Sequence, residues 1–149
     1  PIHLLLIGGN MDTKANLALI KSGDYKKNVH FVGFRDDVLN IVAASDVFAS
    51  ASIKGESITK SIIEAMSLEV APIITDIPGN VELCNHEESG LVVKMKNPQE
   101  LRDAILRLYN DRALCKKLAK NAKARIGSFL NTDRSIKEMK GFYDELMSE

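Results

Sequence analysis

The sequence predicts an α/β domain, a parallel sheet flanked by helices, followed by a helical C-terminal segment. Two observations carry this. Short apolar runs bounded by glycine, proline or asparagine recur at Ile2–Ile7, Val29–Gly33, Val47–Ser50, Ala71–Thr75 and Gly90–Val93, and helix-periodic stretches separate the first four. Past Val93 the pattern becomes wholly helical. Strands alternating with helices imply right-handed crossovers and a sheet covered on both faces.

Ile2–Ile7 closes on Gly8-Gly9-Asn10 and suits a strand buried on both faces. Asp12 or Thr13 can cap a helix that carries Leu17 and Ile20 inward and stops near Ser22-Gly23. Val29–Gly33 ends on a glycine that frees the backbone for a turn. Asp36 is read as the cap of a short helix whose Val38, Leu39, Ile41 and Val42 face the interior, and Ser45-Asp46 leads into the strand Val47–Ser50.

The stretch from Gly55 to Thr75 organises the chain. Ile58, Ile62, Ala65 and Met66 mark a helix buried on one side and beginning near Lys60 or Ser61. Glu56 then lies on the incoming loop. With Ser61 as N-cap, Glu64 falls in the first turn, and both carboxylates face one mouth beside backbone N–H groups that attract phosphate. Ala71–Thr75 is the next strand, Ile77–Asn80 a turn, Val81–Cys84 a helical turn and Gly90–Val93 the final strand.

Asn97-Pro98-Gln99-Glu100 combines an N-cap, a proline at the first helical position and a capping-box glutamate ahead of Leu101, Ala104, Ile105 and Leu108. Asp111 caps a second helix with Leu114, Leu118, Ala119 and Ala122 as its buried stripe. Ser135–Glu138 opens a third, with Ile136, Met139, Tyr143 and Leu146 inward. The lysines and arginines between Arg112 and Arg125 read as a solvated helix face.

Composition narrows the function. At 149 residues the chain is read as one domain, residues 1–149. Lys+Arg and Asp+Glu balance at 20 each, which argues against nucleic acid as a partner. No apolar run is long enough to span a bilayer and no leader pattern opens the sequence, so the reading is soluble and cytoplasmic. Cys84 and Cys115 lack metal-ligand spacing and are read as reduced thiols, and His3, His30 and His86 are scattered. Gly8-Gly9 invites a dinucleotide reading, but the full Gly-x-Gly-x-x-Gly is absent and no acidic residue ends the second strand. In a parallel sheet, ligands bind beyond the carboxyl ends of the strands, so the loops after Ile7, Val32, Ser50 and Thr75 should form the site.

Glu56 and Glu64 at this spacing, followed by Ala65-Met66, Pro72–Asp76 and Gly79-Asn80-Val81-Glu82, resemble the C-terminal, donor-binding half of the group 1 (family 4) retaining glycosyltransferases of GT-B fold. The resemblance runs from Ile2 to Leu146 and implies a Rossmann-like domain binding a nucleotide-sugar donor. By it, Glu56 is similar to the catalytic-site glutamate that contacts the donor hexose near the reacting carbon, and Glu64 to the one that holds the ribose. An ionised carboxylate can accept two hydrogen bonds from vicinal hydroxyls. Considered without the resemblance, Glu64 completes a capping box with Ser61 and Glu56 is a loop carboxylate.

In the commoner family version the first glutamate is followed by Gly, a large apolar residue and Gly; here Ser57, Ile58 and Thr59 stand in that place. Their hydroxyls can hydrogen-bond, and their side chains shift how the loop meets the donor. Lys60 stands either as a point charge for diphosphate or as a solvated lysine. The resemblance implies that backbone at Gly33-Phe34-Arg35 meets the nucleobase edge, with Phe34 itself packing either on the base or, the preferred reading, on the core, and that Gly79 and Asn80 lie in a loop near the donor. For Glu82 a structural role is equally supported.

No metal and no other cofactor is expected, since the sequence shows no paired Asp for a divalent ion and the family usually needs none. The resemblance begins one strand late, without the Arg and Lys that neutralise the donor diphosphate in the family. The chain is therefore expected to be a piece of a two-domain enzyme, inactive alone, whose N-terminal acceptor-binding domain is its partner and would make any peripheral membrane contact. Two rivals remain: a GT-B sugar-nucleotide epimerase, and a non-catalytic receiver-type module, which the lack of clustered aspartates after Ile7 disfavours.

Overall fold

The computed structural model describes residues 1–21, 23–54 and 58–148. The chain divides into two compact units, Pro1–Ala44 and Ser45–Glu149.

The first unit holds β1 (Leu4–Ile7), α1 (Lys14–Lys21), a 3-10 helix over Asp24–Asn28, β2 (Val29–Gly33) and α2 (Val38–Ala43). β1 and β2 pair in parallel, Leu4 opposite Val29 and Leu6 opposite Phe31, with an irregularity before Ile7. Thr13 settles the choice of cap for α1, its Oγ1 accepting the Asn16 N–H at 3.1 Å. Expected burial fails here. Leu4, Leu5 and Leu17 are exposed, as is Leu39 on α2, and Val42 is the one buried hydrophobic side chain among the unit's described residues. Two strands and two short helices have too little surface to cover one another. Asp37, not Asp36, is the N-cap residue of α2.

The second unit runs β3 (Val47–Ser50), α3 (Lys60–Ser67), β4 (Ala71–Thr75), α4 (Asn80–Leu83), β5 (Leu91–Val93), α5 (Pro98–Asn110), α6 (Arg112–Phe129) and α7 (Thr132–Leu146). β4 is central in a parallel three-stranded sheet of order β3-β4-β5, with Val47 opposite Ala71 and Ile73 opposite Leu91. Every residue of β4 is buried. Its side chains divide by the alternation of a strand: Ala71 and Ile73 join Leu91, Leu108 and Leu118 in one cluster, while Ile74 joins Ile62, Met66, Ala122 and Ile126 in another. Each fully buried isoleucine stabilises the fold by about 1.5–3 kcal/mol. Pro72 sits in this strand without disrupting its pairing, because it stands at the second residue, near the strand's start.

α6 packs on both β4 and α3 and spans the two clusters. Its cap is as expected, Asp111 Oδ1 accepting the Leu114 N–H at 2.8 Å. Asn97 likewise caps α5, accepting the Glu100 N–H at 3.1 Å. Glu100 departs from a capping box. Its carboxylate accepts from the Lys94 N–H and the Asn97 side-chain amide, both at 3.1 Å, and so ties the end of β5 to the helix. The basic run of α6 is a solvated face as expected: Arg112, Lys116, Lys117, Lys120 and Lys123 are exposed, Arg112 and Lys123 in surface pairs with Asp46 and Glu69, and only Arg125 is half-buried and bound to backbone.

α7 begins at Thr132, with Asn131 Oδ1 accepting the Arg134 N–H at 2.9 Å, three residues before the start expected at Ser135. None of its residues is buried. Ile136, Met139, Tyr143 and Leu146, expected to face inward, are 61%, 60%, 60% and 52% exposed. The stripe has the periodicity of a packed face, and nothing among the described residues covers it.

Candidate functional site

In the second unit the candidate residues gather at the carboxyl ends of β3 and β4. β4 delivers Thr75, the turn after it delivers Gly79 and Asn80, and the segment entering α3 delivers Ile58, Thr59 and Lys60. Gly79, the N-cap residue of α4, takes φ +86°, a left-handed conformation that favours glycine.

The N-cap of α3 is Thr59, not Ser61. Glu64 therefore lies beyond the position from which a capping box is made. It stands one turn above Lys60, 30% exposed, with Lys60 Nζ 3.4 Å from its Oε1. Lys60 is 88% exposed, so the pair contributes little to stability and both groups stay open to a ligand. Ile62, Ala65 and Met66 are fully buried as the periodicity requires, whereas Ile58, ahead of the helix, is 40% exposed.

Thr59 does not cap its own helix. Its Oγ1 donates instead to Asn80 Oδ1 at 3.1 Å. Forgoing a Ser/Thr cap costs about 1 kcal/mol and leaves the first turn of α3 without an acceptor from its own N-cap residue, a condition that favours anion binding at a helix N-terminus. Asn80 is 0% exposed, and its Nδ2 reaches the Thr75 carbonyl at 3.5 Å. Thr75 Oγ1 donates to the Ser52 carbonyl at 2.8 Å. The side chain of Asn80, expected to lie near the donor, thus spends its polar atoms inside the protein.

From behind, Arg125 of α6 donates to the carbonyls of Leu83 and Glu82, each at 2.6 Å, and holds the last turn of α4. Thr75, Ser52 and Arg125 were not legible as site residues from pattern alone. The signal for Thr75 was its place as the last, polar residue of an otherwise apolar strand.

Glu56 and Ser57 lie outside the described residues. Gly33, Phe34 and Arg35 belong to the first unit, at the carboxyl end of β2. Gly33 takes φ +71° and accepts the Gly8 N–H at 2.8 Å. Phe34 is 82% exposed, which corrects its reading as a core residue. Arg35 forms two hydrogen bonds to the Asp37 carboxylate, both at 2.7 Å. The hydrogen bond and charge of that pair raise the Arg35 pKa and lower that of Asp37. A concavity of about 220 Å³ opens beside these residues, lined by Gly8–Asp12 and Phe31–Gly33. Its lining comes from the loop after Ile7 and the end of β2, two of the strand ends at which the sequence places the site.

Two other features bear on chemistry. Cys84 and Cys115 are free and buried, and burial pushes the Cys84 thiol up to about 11 and raises that of Cys115. Neutral thiols of this kind are poor nucleophiles and poor metal ligands. Among the described residues no group of three or more His, Cys, Asp or Glu could hold a metal ion, and no helix is long and apolar enough to cross a membrane.

The parallel α/β scaffold brings its polar strand tips and the start of α3 to the carboxyl edge of the sheet, where ligands of open α/β sheets generally bind. The family model described as glycosyl transferases group 1 matches residues 1–125, and the chain belongs to that family. An alpha-1,3-N-acetylgalactosaminyltransferase of Campylobacter jejuni, acting on N,N'-diacetylbacillosaminyl-diphospho-undecaprenol, is 33% identical over 80% of this chain and 31% of its own length. The Escherichia coli UDP-Gal:alpha-D-GlcNAc-diphosphoundecaprenol alpha-1,3-galactosyltransferase is 29% identical over 82% of this chain and 31% of its own. Among solved structures, Anabaena HepE in complex with UDP superposes with a TM-score of 0.86 at 24% identity, over 97% of this chain and 41% of that one, a likeness of fold. The chain spans about a third of the length of the curated relatives it matches, between 26% and 38%.

Proposed function

We propose that the chain is the donor-binding part of a retaining glycosyltransferase that moves a sugar from a nucleotide-sugar to an acceptor. The observation that carries this reading is the start of α3, where Thr59 withholds its hydroxyl from the first turn while Lys60 and Glu64 stand on the same end of the helix. The donor's diphosphate meets the uncapped N–H groups and Lys60, and the ribose hydroxyls donate to the Glu64 carboxylate. The family resemblance assigns Phe34 and the backbone of Gly33-Phe34-Arg35, described within the first unit alone, to a nucleobase. The exposure of Phe34, held in a turn braced by the Arg35–Asp37 pair, supports this. Ser57 and Ile58 line the approach, Gly79 shapes the loop beside it, and Glu56 orients the hexose at the reacting carbon.

Membership of the group 1 family and the nucleotide-sugar named for the Escherichia coli relative support a nucleoside diphosphate sugar as donor. Departure of the diphosphate is stabilised by fixed dipoles and positive charge, with no metal assigned a role. An acceptor-binding domain N-terminal to this one completes the enzyme. Two free, buried cysteines support a reducing, cytoplasmic setting.

Product analysis of the complete protein with its nucleotide-sugar tests the reading. Sugar transferred to an acceptor with its anomeric configuration retained is expected. Release of free epimerised sugar in the absence of an acceptor would instead assign the protein to the sugar-nucleotide epimerases.

A further inference from the structure

Thr59 stands where the commoner family version has a glycine, and its hydroxyl reaches the buried amide of Asn80. Three chain segments meet there. Thr59 enters α3, Asn80 opens α4, and Thr75 closes β4, whose hydroxyl in turn holds the Ser52 carbonyl after β3. Asn80 is wholly buried, so a donor cannot reach its side chain, and the hydroxyl of Thr59 is committed to it at 3.1 Å.

We propose that Thr59 and Asn80 are positioning residues, a side-chain pair that fixes the direction in which the first turn of α3 points and thereby sets how its N–H groups and Lys60 meet a diphosphate. This rests on the donor-site reading above. A glycine at position 59 would let backbone approach phosphate closely but would leave Asn80 Oδ1 without its partner; this chain uses a hydroxyl and an amide in place of that freedom. The pair acts through the helix and touches no substrate.

The test compares Thr59→Val, which keeps the shape and removes the hydroxyl, with Thr59→Ser, which keeps the hydroxyl. Calorimetry measures Kd for UDP and for UMP, and the readout is their ratio, the affinity gained from the second phosphate. In Thr59→Val this gain should fall about tenfold, the loss expected for one charge-assisted hydrogen bond set out of line, and Thr59→Ser should keep it within about twofold. A loss of packing alone would weaken UDP and UMP together and leave the ratio unchanged. Should Thr59→Val lower the melting midpoint below the assay temperature, Thr59→Gly carries the comparison. An unchanged ratio in a folded variant overturns the inference while leaving the donor site standing. If the unmodified protein binds neither UDP nor any of ADP and GDP tested the same way, the donor reading falls and the inference with it.

Discussion

At the scale of single residues, the chemistry of the site depends on which side chains the protein has already used. Asn80 has the polar atoms to bind a sugar but spends them on Thr59 and Thr75, whereas Glu64 keeps an accessible carboxylate beside a solvated lysine. That difference could not be read from composition or spacing. The partner of Thr59 lies 21 residues further on, and without it Ser61 was an equally good cap. An aromatic between a strand and a helix is usually core, and nothing in the pattern around Phe34 marks it as the exposed residue it is. Cys84 gives a prediction at this scale. Its thiol is raised from 9.0 to about 11, so below pH 9 folded and unfolded chains both carry the neutral thiol and the full stability is present. Above that the unfolded chain ionises first, and stability falls with rising pH until the folded thiol also titrates, by at most about 1.4 kcal/mol per pH unit. Chemical denaturation of Cys84→Ala against the unmodified protein between pH 8 and pH 11 should show a shallower decline for the variant; parallel curves would mean that Cys84 is solvated.

At the scale of elements, legibility followed burial. β4 and α3 were readable because their apolar positions face a core that this chain itself supplies, and the caps of α5 and α6 because Asn97 and Asp111 act on N–H groups only three residues away. β1 and α7 carry the same kind of pattern, yet Leu4 and Leu5 of β1 and the apolar stripe of α7 are exposed. Periodicity identifies a face that can be buried, not the surface that buries it. The two cases separate energetically. Leu118→Ala in α6 removes a fully buried side chain and should cost about 2–5 kcal/mol, while Met139→Ser on the uncovered stripe of α7 should stay within about 0.5 kcal/mol. Urea denaturation of the two variants checks this. A loss of several kcal/mol from Met139→Ser would mean that α7 is packed in solution.

At the scale of the whole molecule, the order of strands and helices was enough to expect a parallel α/β domain of the group 1 glycosyltransferases, and the family match bears that out. The division into two units was not legible, because no change of composition marks Ala44. The chain spans only part of its relatives, and its function as a donor-binding part rests on Glu64 and the start of α3. The most direct test is calorimetric titration of UDP, GDP and ADP and their sugars into the protein and into Glu64→Ala. Binding of at least one is expected, weakened about 10- to 100-fold by the substitution, as for loss of a charged acceptor of two hydroxyl groups. Equal affinity of the two proteins for the same nucleotide would contradict the account.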